Sequence, residues 1–102
     1  MSYYNRQGEP ITLAQMIAIE TDAVARGVNE RRVAETTLPD GTWISTVHLY
    51  QDHNFSGIGP PLIFETMVFR NRKDMGDIDC DRYATETEAL AGHRAMVEKW
   101  TK

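Results

Sequence analysis

The sequence predicts a small α+β domain, an antiparallel sheet of three to four strands packed in two layers against an N-terminal and a C-terminal helix. Three observations carry this. Segments of helical period lie near both ends of the chain, each opened by a threonine with Gln or Glu three residues later, Thr12 with Gln15 and Thr85 with Glu88. Between them the period falls to two, in β-branched and aromatic residues. The connections carry Pro and Gly, at 38–41 and at 51–61. At 102 residues the chain has room for one core, so we assign a single domain over 1–102.

Tyr3 and Tyr4, the turn residues 5–9 and then Pro10 and Ile11 predict a short hairpin clasp. The capping box at Thr12 starts a helix in which Leu13, Met16, Ile17, Ala23 and Val24 recur at helical spacing, and Gly27 ends it. Val33 to Thr37 and residues 42–50 flank the Pro39-Asp40-Gly41 turn as a hairpin. Trp43, Ser45, Val47 and Leu49 share one face of its second strand; Ile44, Thr46, His48 and Tyr50 share the other. Residues 62–69, nearly all apolar, form the next strand, and Arg82 to Ala84 a short fourth. The closing helix carries Ala89, Leu90, His93, Met96, Val97 and Trp100 as one stripe that should lie on the sheet.

Composition excludes several functions. The net charge of −4 leaves no basic footprint, so no nucleic-acid partner is expected, and Arg70, Arg72 and Lys73 read as a solvated turn. No apolar run approaches the ~20 residues of a membrane helix, and no signal-peptide core follows the N-terminus. The single cysteine, Cys80, lies between Asp79 and Asp81, which oppose thiolate formation. We therefore expect a cytoplasmic protein with no cofactor and no catalytic centre; phosphate loops, nucleophile elbows and zinc-protease motifs are absent.

Asp77, Asp79, Asp81 and Glu88 match the spacing of calcium-loop carboxylates, but Arg82 stands where such a loop needs glycine. His48, His53 and the acidic run at 77–81 are the residues a small metal-binding domain or metal-dependent enzyme would use. Glu65 interrupts an apolar strand, so it must be exposed, paired or shifted in pKa; a pair with Arg32, Arg70 or Arg82 is expected, and a base beside His48 is the alternative. His93 falls on the apolar stripe and is expected as a hydrogen-bonded core histidine.

What is left is surface. The proline-stiffened connection 51–61 carries Phe55 and Ile58, and we select Tyr50, Asp52, His53, Asn54, Phe55 and Ile58 as a partner-binding face.

The stretches RRVAETTLPDGTWISTVHL, DHNFSGIGPPLIFETMVF and RYATETEALAGHRAMVEKW, with the opening YYNRQGEPIT, resemble a family of small hypothetical proteins of bacteriophages and prophages. The resemblance covers nearly the whole chain. It implies a bacterial host cell and no catalytic role for any residue. By association it suggests a phage accessory protein that binds a host or phage protein, as an inhibitor of a host defence system; our reading of the chain adds a homodimer as its expected assembly. A metal-binding domain and a structural virion component are the alternatives.

Overall fold

The computed structural model describes residues 2–101. The chain runs β1 (Tyr3–Tyr4), β2 (Pro10–Ile11), α1 (Leu13–Arg26), β3 (Arg32–Thr37), β4 (Trp43–His48), β5 (Phe64–Phe69), β6 (Asp79–Tyr83) and α2 (Glu86–Trp100). β1 and β2 pair as the expected clasp, Tyr3 opposite Ile11. β3 to β6 form one antiparallel sheet in sequence order, so every connection joins neighbouring strands. The α+β architecture is the one predicted.

Helix starts follow the threonines. Thr12 accepts the Gln15 N–H at 3.1 Å while the Gln15 side chain accepts the Thr12 N–H at 2.8 Å, a complete capping box. At α2 half of the box forms. Thr85 Oγ1 accepts the Glu88 N–H at 3.1 Å, but Glu88 takes its second bond from the threonine hydroxyl rather than from the backbone. Gly27 ends α1 at φ 71°, and the Val28 N–H reaches back to the Ala23 carbonyl at 3.0 Å, the six-to-one bond of a Schellman motif.

The period-two alternation puts Ile44, Thr46 and His48 with Phe64, Thr66 and Val68 on the inner face, under α2. The core forms two clusters there, Leu38, Ile44, Val68 and Met96 at one end and Ile63, Phe64 and Ala89 at the other. Between them His93 of α2 bridges the sheet, Nε2 at 2.9 Å from Thr36 Oγ1 and Nδ1 at 2.7 Å from Thr46 Oγ1. Thr46 Oγ1 in turn lies 2.6 Å from Thr66 Oγ1, so His93 and these three threonines partner one another as burial requires. Gly92 lets α2 approach: a Cβ there would fall 2.2 Å from the Tyr83 ring.

The outer face has no helix over it. Trp43 stacks on Phe69 with ring centroids 5.2 Å apart, Arg72 lies 4.7 Å over the indole, and Trp43 Nε1 donates to Glu35 at 2.8 Å. Arg32 and Arg72 both pair with Glu35, and long cationic stems cover apolar surface that a second layer would otherwise hide. α2 supplies the helix-to-sheet contact; α1 buries only Ala23 fully and exposes Leu13, Ile17 and Val24.

Candidate docking loop and the core beneath it

The neck of the 51–61 loop is a strained turn. Tyr50 has φ 66°, the one non-glycine residue with positive φ among the described residues, and for a bulky aromatic this is a costly conformation. Its surroundings hold it. The ring lies 4.4 Å from that of His48, the hydroxyl donates to Glu20 of α1 at 2.6 Å, and the backbone carbonyl accepts from Tyr4 N–H at 2.8 Å. Burial, with the Glu20 carboxylate second, pushes the phenol well above its usual range, so this hydroxyl stays protonated and donating. Tyr3 bridges to Gln51, and the clasp thereby clamps the neck.

Beyond the neck the loop is built by its own short polar side chains. Asp52 Oδ1 accepts from Asn54 N–H at 2.7 Å and from Leu62 N–H at 2.9 Å, tying the two ends together. Asn54 Oδ1 accepts from Ser56 N–H at 3.1 Å, and its amide donates to the carbonyls of Ile58 at 2.7 Å and Pro60 at 3.0 Å. Ser56 Oγ accepts the Ile58 N–H at 3.2 Å. Residues 52, 54 and 56 thus make successive side-chain turns, each capping the backbone two residues on. The prolines share the stiffening with this ladder; Gly57 and Gly59, both at positive φ, supply its left-handed bends.

This construction points Phe55 and Ile58 outward at 82% and 81% exposure. His53 is half-buried, its ring 5.7 Å from that of Phe55, and with Tyr4, Gln51 and Asp52 these two line a shallow depression of about 340 Å³. The six residues selected from sequence therefore divide. Phe55 and Ile58 are the exposed tips and His53 their flank. Asp52 and Asn54 are spent on the loop's own backbone. Tyr50 points inward at 4% exposure, so as a contact residue it is corrected to a support beneath the loop.

The residues weighed for chemistry do not converge. His48 and Glu65 lie on opposite faces, because His48 pairs with Phe64 while Glu65 pairs with Val47. A general-base couple between them is ruled out by the alternation of the strands. Glu65 accepts from Arg82 Nε at 2.8 Å across β5 and β6, one of the three arginines expected. Burial and Glu65, rather than the flanking aspartates, push the Cys80 thiol up to about 11. Asp79 starts β6 and turns to α2, accepting from Lys99 Nζ at 2.7 Å and Trp100 Nε1 at 3.0 Å. Extended backbone at 79–83 is incompatible with a calcium loop, and no group of three or more His, Cys, Asp or Glu among the described residues could hold a metal ion.

His48 is completely buried against Tyr50 and Phe64, and among the described residues neither ring nitrogen has a hydrogen-bond partner. Burial first, then the charges of Arg6 and Arg31, lower its pKa to about 4, so it is a neutral ring at physiological pH. It packs under the neck as an aromatic.

Sequence reasoning missed the strain at Tyr50, although a turn had to occur there. The alternation Asp-x-Asn-x-Ser at 52–56 was the available signal for the loop's internal ladder. No protein family, no curated protein and no solved structure matches this chain.

Proposed function

We propose that this protein is a non-enzymatic accessory domain of a phage or prophage that works in the bacterial cytoplasm by occupying a surface of a host protein, with a component of host defence as the intended target. The observation that carries the reading is a loop that spends its polar groups on its own backbone while presenting Phe55 and Ile58 to solvent. Two large apolar side chains at the tip of an ordered loop are costly to leave exposed, and order lowers the entropy lost on docking. The contact chemistry is apolar at the centre with His53 at the rim. The partner surface it suits is an uncharged depression wide enough for one aromatic and one aliphatic side chain.

The test compares the wild-type chain with a Phe55→Ser/Ile58→Ser variant, each immobilised and exposed to host lysate. The expected result is a host protein retained by wild type and lost with the variant, at an unchanged melting temperature. Retention of the same proteins by both chains would remove the loop from the function. A variant that unfolds would show instead that these residues anchor the core.

A further inference from the structure

We propose that α1 is the interface of a two-fold symmetric homodimer in which the helix packs antiparallel against its own copy. At about 100° per residue, Leu13, Ile17 and Val24 fall within an arc of roughly 40°, and Thr21, Ala14, Ala25 and Ala18 continue the same side for about another 100°. All seven are exposed, Val24 at 77%, Ile17 at 53% and Leu13 at 49%. Nothing charged interrupts this face. The charged side chains of α1, and Gln15, are engaged elsewhere: Gln15 in the capping box, Glu20 with Tyr50, and Asp22 with Arg26 Nε at 2.8 Å.

The placement of the large residues selects the occupant. Ile17 and Val24 are equidistant from a point between Glu20 and Thr21, and so are Leu13 and Val28, which follows the cap and is 45% exposed. An antiparallel copy turned about that point sets Ile17 against the partner's Val24 and Leu13 against the partner's Val28. This is the self-complementary pattern that a two-fold contact requires. The bulky stripe also runs beside the alanines, so the ridge of each helix has a shallow groove to enter. The other uncovered face, the outer side of the sheet, is a poor alternative for the stripe because Arg32, Glu35, Arg72 and Arg82 rim it.

A helix about 20 Å long buries on the order of 400 Å² per chain, half of a standard interface, so a concentration-dependent dimer in the micromolar range is expected. The proposal does not depend on the function proposed for the 51–61 loop.

Sedimentation of the full chain from about 1 to 500 µM should show reversible dimerisation, and Val24→Glu or Ile17→Glu should weaken it at least tenfold. Both side chains are exposed in the monomer, so far-ultraviolet dichroism and melting should match wild type. Register is read by oxidation in a Cys80→Ser background. Thr21→Cys lies beside the axis and should crosslink to its copy, whereas Leu13→Cys should not, being about 22 Å from its own copy. A chain that is monomeric throughout, a dimer indifferent to both glutamates, or a Leu13→Cys chain that links as readily as Thr21→Cys would each overturn the proposal. The first would mean that another protein covers the stripe, and the last that the helices run parallel.

Discussion

α1 and α2 are nearly equal in length, 14 and 15 residues, and both begin at a capping threonine, yet among the described residues only α2 packs extensively on the sheet. α2 is the less apolar of the two in sequence and buries Ala89, His93 and Met96. α1 carries the broader uncharged face and leaves it in solvent. Amphipathicity says that a helix has a face to bury; whether this chain buries it depends on spacing and fit. For α2 the fit is specific: a glycine where the Tyr83 ring crosses, a histidine reaching two strand hydroxyls, and Lys99 and Trp100 closing on Asp79. For α1 the side-chain hydrogen bond to the end of the sheet among the described residues is Glu20 to Tyr50, and Ala23 is its buried residue.

The largest effect expected from this contrast separates two glycines. Gly92→Ala puts a Cβ 2.2 Å from the end of the Tyr83 ring, which must shift, and overpacking of this kind, less the gain in helix propensity, should cost about 2 kcal/mol, read as a lower denaturation midpoint at unchanged slope. Gly27→Ala meets no atom within 4 Å and bears only the strain of a left-handed residue, about 1 kcal/mol. Equal losses at the two positions would mean that α2 is no more tightly fitted than α1.

A separate effect lies beneath the neck of the loop. His48 is neutral in the folded chain with a pKa near 4, whereas in the unfolded chain it titrates near 6.5. Its depressed folded pKa means that the unfolded state takes up the proton first as pH falls. The stability contributed by keeping the ring neutral is present above about pH 6.5 and is lost progressively down to about pH 4. Over that window the loss should be about 3 kcal/mol. His93 titrates in the same sense, lowered by burial, and adds to the slope. His48→Leu should flatten the dependence of urea stability on pH between 6.5 and 4 while leaving His93's share. An unchanged slope would place the acid sensitivity elsewhere.

How far the sequence announced these features depends on whether a feature is local. Caps, turns and the alternation of strands depend on neighbours within a few residues, so the clasp, α1, the four-stranded sheet and α2 were readable, as was a core role for His93. Phe55 and Ile58 were readable as a loop's apolar tips because nothing periodic claimed them. What depended on contacts between distant residues was hidden. Tyr50 has to reach Glu20 across 30 positions, and Gly92 makes sense only once Tyr83 lies beneath it. The separation of Glu65 from His48 follows from pairing register, which no single strand specifies. The exposure of the α1 face was invisible for the same reason: its sequence carries an apolar face and no mark that the rest of the chain leaves it uncovered.

The smallest expected effect bears on how loosely α1 is coupled to the rest. Thr85 and Thr12 each accept an N3 backbone N–H at 3.1 Å, so replacing either by alanine removes that bond, and at Thr85 also the exposed bond from its hydroxyl to Glu88. Thr85→Ala should lower global stability by about 1 kcal/mol, because the first turn of α2 holds Ala89 in the core cluster with Ile63 and Phe64. Thr12→Ala should lower it by only a few tenths, since α1 can open while the sheet and α2 stay folded. Amide exchange separates the cases: Thr12→Ala should speed exchange several-fold across α1 and leave α2 at its wild-type rates. If the two variants instead lose equal stability and exchange quickens throughout, then α1 unfolds together with the core, and the tie from Glu20 to Tyr50 is stronger than its single hydrogen bond suggests.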